Sequence, residues 1–527
     1  MWFRCKPGRI PTPNEIEGMP VKTILFRPAV ALILALVALP AFAQIRLPNV
    51  LSSHMVVQRE RPIHVWGWAS PGEAVTVDFH GVRRSGTADD LGHWSFYLPP
   101  EPAGGPYTLT VSASNSISLI DILVGDVWFA SGQSNMELPL MGFPGYATVD
   151  NGAAEIQNAT HPEIRLLHIK EKSSYYPLDD IDSNWTLCTP ETASTFSAAA
   201  YFFGREIAEK EHVPVGLIDS TWGGTVAEAW VSLDTISSDA SLMPLFASWA
   251  AMTDKVADMP AVEAQEKRED AAALAANQTP PKHPWHPNPV SWEPAGLYNA
   301  MVNPFTQFPI RGVIWYQGES NSRVERAALY QRIFPALIAD WRRHWNQGNF
   351  PFLFVQISNF NSMTPENWAV IREAQRRTLS VSNTAMAVTI DIGDPDNVHP
   401  ADKQDVGHRL ALAARALSYG EPIEYSGPLY RQASMEGGAM RVEFDHSESG
   451  LVAKDGALNG FEIAGEDGKF VPATATIEAG SVMVSATAVP NPKYVRYGWQ
   501  NAPSVNLFNG EGLPASPFTS EETIPAP

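Results

Sequence analysis

Four short segments of this 527-residue chain hold residue types that carry out acyl transfer in proteins. Residues 130–136 (ASGQSNM) place Ser134 directly after an apolar run that predicts a strand. A glycine turn at a strand end exposes the serine hydroxyl, which makes Ser134 a candidate nucleophile. A second Gly-x-Ser-Asn tetrapeptide, residues 318–321, also follows a predicted strand, so Ser320 is an alternative. The Gly-x-Ser-x-Gly elbow is absent around both serines.

Two further segments offer hydrogen-bond donors for a developing negative charge. Residues 219–230 (DSTWGGTVAEAW) follow a predicted strand, and the Gly223–Gly224 turn exposes backbone N–H groups. Such groups stabilise an oxyanion, although paired glycines also occur in tight turns that require positive φ. In residues 315–321 (WYQGESN), Gln317 is a second candidate donor through its side-chain amide.

The fourth segment, residues 391–400 (DIGDPDNVHP), supplies a candidate general base, His399. A catalytic histidine needs a partner that orients its imidazole and stabilises the imidazolium form. Asp396 lies three residues earlier in the predicted loop and is the preferred partner. Asp394 and Asp391 are alternatives, and a serine–histidine dyad assisted by a backbone carbonyl is another.

Strand and helix patterns divide the chain into three parts that position these segments. Residues 44–118 contain short alternating strands separated by glycines, which predicts a small antiparallel β-sandwich. Residues 119–420 alternate apolar strands with helices, which predicts a parallel sheet covered on both faces and ligands at the carboxyl ends of its strands. An insertion at about 234–294 either overhangs the site or forms a surface loop. Residues 421–527 return to strands, as a second β module or as the other half of the first.

The amino-terminal residues have the pattern of a secretory signal peptide. Lys22 and Arg27 precede the apolar run at 29–39, and an Ala-Phe-Ala tripeptide ends at Ala43. This pattern predicts cleavage after Ala43 and a secreted or periplasmic protein, with residues 1–43 outside the fold. The apolar run is too short for a comfortable membrane span, so we expect no membrane partner for the mature chain.

Composition narrows the possible ligands. A formal net charge of −20 argues against a nucleic-acid partner, because phosphate binding needs clustered Lys and Arg. Removal of Cys5 with the signal peptide leaves Cys188 as a lone thiol, so stability is expected from the core rather than from disulfides. His283 and His286 are close in sequence, but the prolines between and around them, and the absence of a neighbouring Cys or carboxylate, argue against zinc.

The four segments occur in the order of the SGNH (GDSL-like) hydrolases, and their wording resembles the sialate O-acetylesterase family. The resemblance extends to residues 51–58, 459–464, 495–499 and 506–518, and therefore spans nearly the whole mature chain. The motifs that carry it are GQSNM, WGGTxxEAW, LYNAM, VIWYQGESN, DWR, REAQ, and DxxHP followed by KxxVGxRLA.

The resemblance implies a three-layer α/β SGNH domain flanked by amino- and carboxyl-terminal antiparallel β-sandwich segments. It also implies that Ser134 is the nucleophile, His399 the base, and Gln317 the residue in the place that Asn holds in most SGNH enzymes. The backbone N–H groups of Ser134 and of the Gly-Gly turn would complete the oxyanion hole. Many relatives have Asp or Ser where this chain has Asn397, so the third triad member stays open between Asp396 and its alternatives.

The implied activity is removal of acetyl groups from O-acetylated sugars, either sialic acid or a plant hemicellulose such as xylan or xyloglucan, without metal or cofactor. A non-catalytic carbohydrate-binding protein on the same fold, and a lipase- or peptidase-type serine hydrolase, are the alternatives. Candidate substrate-binding residues near the four segments are Gln133, Asn135, Trp222, Trp315, Glu319, Trp368 and Arg372.

Overall fold

The computed structural model of the chain describes residues 44–281, 283, 285–362 and 364–524. Of these, the described residues from Ile45 to Ile524 cluster as one compact unit. The predicted signal peptide, residues 1–43, lies outside the described residues. Within the described ranges, no helix combines the length and the apolar character that a membrane crossing requires.

The elements alternate between strand-rich and mixed regions along the chain. The strands are β1 Val56–Gln58, β2 Ile63–Trp68, β3 Ala74–Phe79, β4 Val82–Thr87, β5 His93–Leu98, β6 Gly104–Ser112, β7 Ser116–Gly132, β8 His161–His168, β9 Thr186–Cys188, β10 Val215–Thr221, β11 Gly312–Tyr316, β12 Phe352–Gln356, β13 Thr384–Val388, β14 Leu429–Glu436, β15 Ala439–Asp445, β16 Leu451–Ala453, β17 Phe461–Ala464, β18 Val471–Pro472, β19 Thr474–Glu478, β20 Ser481–Ser485, β21 Tyr494–Tyr497, β22 Leu507–Asn509 and β23 Phe518–Thr519. The α-helices are α1 Ser134–Glu137, α2 Gly152–Asn158, α3 Pro190–Ser194, α4 Ala198–Glu211, α5 Leu233–Ser238, α6 Met243–Thr253, α7 Met259–Ala275, α8 Val324–Ala327, α9 Tyr330–Trp345, α10 Trp368–Thr378 and α11 Lys403–Tyr419.

A central sheet confirms the predicted parallel arrangement. Its order is β13-β12-β11-β7-β10-β8-β9, with parallel pairing throughout except for the antiparallel edge strand β9. Strands β10, β11 and β12 are buried along their whole length, as continuous apolar runs in a covered parallel sheet require. Gly132 pairs with both Thr221 and Tyr316. The serine, Gly-Gly and Gln segments therefore leave the sheet side by side at one edge.

Strand β7 joins the amino-terminal strands to the central sheet. Its first half pairs with β6 and β1, and its second half pairs with β10 and β11. The boundary predicted at residues 118–119 falls inside this strand, because the change from alternating to continuous burial occurs within one uninterrupted element. Side chains of the amino-terminal strands, such as Val77 and Leu109, accordingly belong to the same core as the central sheet.

The carboxyl-terminal strands form a module with a core of its own. Two four-stranded sheets, β14-β15-β20-β19 and β18-β17-β21-β23, enclose a cluster that includes Val442, Val482, Tyr497 and Phe518. Among the described strands, none of these sheets includes a strand from residues 44–118. The carboxyl-terminal segment is therefore a second module and not the other half of the amino-terminal one.

Helix α11 follows the loop that contains His399 and packs closely against α4. The side chain of Asp402 caps its first turn by accepting the N–H of Asp405 at 2.9 Å. At Gly407, a Cβ atom would lie 2.5 Å from the Cβ of Phe202, so glycine is required for the close approach of the two helices. This packing and the Asp402 cap hold the amino-terminal part of α11, which follows directly after the histidine loop.

Candidate active site

A cavity of about 890 Å³ opens where β7, β10 and β11 end. Ser134, Gly224, Glu319 and His399 all line it, so all four predicted segments meet there. Ser320 lines the same cavity, so the structure places both candidate nucleophiles in one site. Further lining residues are Gln133, Phe143, Tyr146, His283, Trp285, Glu319, Arg323, Phe360, Glu366, Trp368 and Asp396.

Ser134 begins α1, two residues after the end of β7. Gly132 has φ 138°, and a Cβ atom there would lie 2.1 Å from the carbonyl oxygen of Tyr316. Only glycine permits so close an approach of the two backbones. The N–H of Gln133 then donates to the same Tyr316 carbonyl at 3.0 Å, which holds the serine turn on the neighbouring strand.

His399 is buried and lies between two aromatic side chains. Its ring meets the edges of Tyr146 and Phe143 with centroid distances of 5.1 and 5.8 Å. Neither ring nitrogen has a hydrogen-bond partner among the described residues. Burial, with a smaller contribution from the positive charge of Lys403, lowers the pKa of His399 to about 3. In this state the imidazole is neutral, so one ring nitrogen carries a proton and the other has a free lone pair that accepts one.

The three acidic candidates for the triad have different surroundings. Asp391 receives both arms of the Arg409 guanidinium, at 2.6 and 2.8 Å, and is committed to that ion pair. Asp394 accepts the N–H of Asp396 at 2.8 Å and so caps the turn. Asp396 is exposed and lines the cavity together with His399. Of the three, Asp396 has the carboxylate that is least committed elsewhere.

The two glycines of the predicted oxyanion hole differ in their availability. Gly224 lines the cavity and adopts φ 69°, which exposes the turn toward the site. The N–H of Gly223 instead hydrogen-bonds the carboxyl group of Glu137, one turn after Ser134. Burial, followed by repulsion from Glu171 and other acids, raises the pKa of Glu137 to about 7. Gly224 is therefore the glycine whose surroundings suit the predicted role.

Gln317 is fully buried, and its side chain is held by protein partners. Its amide nitrogen is 2.7 Å from Asn321 Oδ1 and 3.2 Å from both Gln133 Oε1 and the carbonyl of Thr225. Its amide oxygen accepts the hydroxyl of Tyr330 at 3.0 Å. In this geometry the Gln317 side chain links the serine, Gly-Gly and Gln segments by hydrogen bonds. Donation to an oxyanion therefore requires its amide nitrogen to give up one of these acceptors.

Of the candidate substrate-binding tryptophans, Trp315 lies in the core and Trp368 lines the cavity. Trp315 is fully buried, and its ring packs against Trp230, Phe334 and Trp341. The expectation that it contacts sugar is therefore wrong, because a core position leaves no face of the ring open. Trp368 lines the cavity, and its indole N–H donates to Glu366 at 2.8 Å. Its ring edge is thus fixed at the wall of the site.

The expectation that Arg372 binds substrate is also wrong. It is fully buried, and its guanidinium donates to the carbonyls of Ser358 at 3.0 Å, Asn501 at 3.2 Å and Gln500. Burial lowers its pKa to about 9. Arg372 therefore fastens the carboxyl-terminal module to α10 and does not contact substrate. Trp222 is half-buried and packs against the main core.

Asn135 and Glu319 form a layer beneath the cavity. The amide nitrogen of Asn135 donates to Glu319 at 2.6 Å and to the carbonyl of Val398 at 2.9 Å. Asn135 is buried, whereas one side of Glu319 lines the cavity. Burial raises the pKa of Glu319.

Gln133, the third polar neighbour of Ser134, lines the cavity, and its amide oxygen accepts the N–H of Ser320 at 3.2 Å.

The insertion at 234–294 reaches the site. His283 and Trp285 line the cavity, and a Cβ atom at Gly224 would lie 2.5 Å from the Trp285 ring. This supports the overhanging arrangement over a simple surface loop. The two histidines do have carboxylate neighbours, contrary to the expectation: Nε2 of His283 lies 3.0 Å from Asp270, and Nε2 of His286 lies 2.8 Å from Glu266. Helix α7, which precedes the histidines within the same insertion, supplies both carboxylates.

Several cavity residues carry no motif signal of their own. Phe143, Tyr146, Phe360 and Arg323 lie in irregular segments, and composition alone does not distinguish them from other surface aromatics or cations. Their place in the site follows only from the structure, since all four line the cavity and Phe143 and Tyr146 contact His399. An aromatic next to a glycine turn, as in residues 142–146, is the one weak sequence signal.

One cluster of the described residues has the geometry of metal ligands. Ligand atoms of Asp234, Asp340 and His344 lie within 4.8 Å of one another. Asp340 already accepts hydrogen bonds from Ser232 and from Arg343, each at 2.7 Å. Burial opposes ionisation, yet hydrogen bonds from His344 and Ser232 lower the pKa of Asp340 to about 2. The guanidinium occupies the place of a cation, so the cluster is a salt-bridge network.

Comparison with known proteins gives the class of this molecule. A family model described as a carbohydrate esterase, sialic acid-specific acetylesterase, matches residues 281–416. The sialate O-acetylesterase from Mus musculus is 28% identical over 93% of this chain and 97% of its own length. The sialate O-acetylesterase from Homo sapiens is 29% identical over 92% of this chain and 94% of its own length. The crystal structure of a carbohydrate acetylesterase from Xanthomonas citri is 37% identical, with TM-score 0.77, 91% of this chain covered and all of that chain covered.

The molecule is thus an esterase, a hydrolase with an acetylated carbohydrate as its class of substrate. The chain belongs to the sialate O-acetylesterase family of carbohydrate esterases.

Proposed function

We propose that this esterase cleaves O-acetyl groups from sugars through an acetyl-enzyme formed on Ser134. The observation that carries the proposal is that Ser134 and a neutral His399 line one cavity. His399 removes the hydroxyl proton as the serine oxygen attacks the acetyl carbonyl. Collapse of the tetrahedral intermediate expels the sugar oxygen, which takes the proton back from the imidazolium. Water then attacks the acetyl-enzyme by the same route, and acetate leaves.

Asp396 is the proposed third member of the triad. An imidazole with a pKa of about 3 is a weak base, and a carboxylate at one ring nitrogen raises its basicity. Asp396 lines the same cavity and is exposed, so its side chain is able to rotate toward His399. Without that rotation the two residues Ser134 and His399 act as a dyad.

The proposed oxyanion hole consists of the N–H groups of Ser134 and Gly224 with assistance from Gln317. Removal of one such donor typically lowers the rate by about 10²–10³. The arrangement of these groups at the carboxyl edge of the parallel strands supports an SGNH-type, three-layer organisation of the hydrolase part.

The cavity has features that suit two kinds of sugar. Among the described residues Arg323 has no carboxylate partner, although it lines the cavity and its guanidinium lies 5.6 Å from the Trp292 ring. A free guanidinium favours a substrate with a carboxylate, as in O-acetylated sialic acid. Trp285 and Phe360, together with the acidic Glu366, favour a neutral acetylated hemicellulose such as xylan or xyloglucan.

Acetate release from acetylated sialosides, xylan and xyloglucan separates these substrates. If the protein cleaves sialosides and Arg323→Gln lowers that rate, the substrate is the anionic sugar. If it cleaves the polysaccharides and Arg323→Gln has no effect, the substrate is the neutral sugar. A folded protein that binds these sugars and releases no acetate from any of them contradicts the proposal and favours the binding-protein alternative.

Ser134→Ala is expected to abolish hydrolysis of 4-nitrophenyl acetate, because no other atom forms the acetyl-enzyme. Loss of the nucleophile in serine hydrolases typically lowers kcat by about 10⁶. Ser320→Ala is the matched control, since this serine lines the same cavity. Retained activity in folded Ser134→Ala together with loss in Ser320→Ala would transfer the nucleophile role to Ser320.

We also propose that the protein is exported, on the basis of the basic residues and apolar run within residues 1–43.

A further inference from the structure

We propose that Lys403 is a positioning residue of the active site, which holds the nucleophile segment against the histidine loop through the side-chain amide of Asn135. The inference rests on the proposed roles of Ser134 and His399. Lys403 is the first residue of the KxxVGxRLA motif, which carries no stated role, and it does not line the cavity.

The lysine is fully buried at the first turn of α11. Its ammonium group donates to Asn135 Oδ1 at 2.6 Å and lies 5.3 Å from the centre of the Tyr316 ring. A buried ammonium group costs several kcal/mol unless it is paired and hydrogen-bonded. A hydrogen bond to an amide oxygen, a nearby ring face and the Glu319 charge supply that compensation.

The amide of Asn135 connects three segments of the site. Its nitrogen donates to Glu319 Oε1 at 2.6 Å and to the carbonyl of Val398 at 2.9 Å. Asn135 directly follows the nucleophile in the chain, and Val398 directly precedes the base. One side-chain amide therefore links the backbones on which Ser134 and His399 are carried.

Opposite charges at the two ends fix the orientation of this amide. The oxygen of Asn135 faces the Lys403 ammonium, and the nitrogen faces the Glu319 carboxyl group. A flipped amide would place its N–H₂ group against an ammonium, which has no acceptor. The charge of Lys403 thus determines that an N–H of Asn135 points to the carbonyl of Val398. This hydrogen bond is the link between the nucleophile segment and the histidine loop.

The same charge acts on His399 through space. The positive charge of Lys403 disfavours the imidazolium form and adds to the effect of burial on the pKa of His399. Burial lowers the pKa of Lys403 to about 7, against the opposing effects of Glu319 and Asp402. The ammonium is therefore charged in the acidic range in which His399 would gain a proton.

Titratable and charged groups reach this region from every neighbouring segment. They are Lys403 and Asp402 at the start of α11, Glu319 after β11, Tyr146 after α1, Asp396 in the histidine loop, and Arg323, Glu366 and His283 around the cavity. Among the causes that shift the pKa of His399, Lys403 is the only charged group.

Lys403→Met tests the inference because methionine fills a similar volume without charge. We expect kcat for 4-nitrophenyl acetate to fall about tenfold or more, with KM changed less than about threefold, since the lysine does not line the cavity. We also expect the acid limb of kcat/KM to move to higher pH, because loss of the cation raises the pKa of His399. Lys210→Met, at an exposed lysine on α4, is the control and leaves both properties unchanged.

The double variant Glu319→Gln/Lys403→Met separates positioning from stability. It removes both buried charges, so we expect its unfolding midpoint in urea to exceed that of Lys403→Met while the acid limb stays displaced. Activity and acid limb that both return to the wild-type values would overturn the inference. An unchanged kcat and an unmoved acid limb in Lys403→Met would also overturn the inference. Failure of both variants to fold would overturn it too, because the lysine would then act in stability alone.

Titration of the active serine with a fluorophosphonate probe normalises every rate to correctly folded sites. If Ser134→Ala retains both labelling and activity, the proposed function has failed independently of Lys403. If labelling needs Ser134 and Lys403→Met behaves as wild type, only the positioning role is contradicted.

Discussion

At the scale of single residues, the base of this site is held in an apolar environment with no partner on its ring among the described residues. His399 is buried between Tyr146 and Phe143, and its pKa is lowered to about 3. Such a residue is a stronger base once a carboxylate contacts it, so the position of the acid decides how well the base works.

Asp396→Asn is expected to lower kcat for 4-nitrophenyl acetate by about 10²–10⁴, because an amide does not stabilise the imidazolium. Asp394→Asn should cost less, because that carboxylate caps the backbone of residue 396 and lies outside the cavity lining. Steady-state rates of the two folded variants give the comparison. A larger loss in Asp394→Asn reverses the assignment, and small losses in both favour the dyad.

Burial of a neutral histidine also makes stability depend on pH. The folded-state pKa of His399 lies below its unfolded value of about 6.5, so the unfolded chain takes up a proton first as pH falls. This contribution to stability is complete above pH 6.5 and is lost on acidification. Each pH unit below that value costs about 1.4 kcal/mol.

When pH falls from 6.5 to 5, both wild type and the variant His399→Gln lose part of their free energy of unfolding. The loss in His399→Gln should be smaller than the loss in wild type by about 2 kcal/mol. Urea unfolding at the two pH values measures the difference. Equal losses in both proteins would show that His399 is protonated in the folded state.

At the scale of elements, the parallel pairing of β7 with β11 sets where the nucleophile emerges. Gly132 at φ 138° is the last residue of β7, and the Tyr316 carbonyl stands where its side chain would be. The turn therefore forms in one way only. Insertion residues His283 and Trp285 line the same cavity.

Gly132→Ala is expected to destabilise the protein by about 3 kcal/mol and to displace the serine, because the new methyl group collides with backbone. Gly145→Ala is the matched control: it also has positive φ, 73°, but nothing lies within 4 Å of its Cβ position. The control should lose about 1 kcal/mol. Denaturant midpoints and activity distinguish the two, and equal effects would refute the steric argument.

At the scale of the whole molecule, the described residues from Ile45 to Ile524 form one compact unit. Its amino-terminal strands share a core with the hydrolase part, while the carboxyl-terminal module keeps its own. Arg372 and Arg377 fasten that module to α10 by donating to backbone carbonyls, among them Asn501 and Glu521. Within the described residues, Cys188 is a buried free thiol.

Export is the remaining expectation at this scale. Expressed with its full amino terminus in a host with a secretory pathway, the protein should leave the cytoplasm and begin at Gln44. Amino-terminal sequencing or intact mass of the exported protein checks the cleavage site. A cytoplasmic protein that keeps residues 1–43 would contradict the signal peptide.

The sequence by itself determined the parallel sheet, the segments at its carboxyl edge and the family, because strand periodicity and short motifs are local. The candidate residues Ser134, Gly224 and His399 were reachable in this way, and the structure places all three at one cavity. Their roles still await the variants described above.

Only the tertiary structure decided which side chains face the cavity and which are held inside. Trp315 and Arg372 have residue types suited to sugar binding, yet one packs in the core and the other binds backbone carbonyls. Likewise, Lys403 meets Asn135 across 268 positions of the chain. Contacts of this kind depend on how distant elements pack, and neither spacing nor residue type encodes that packing locally.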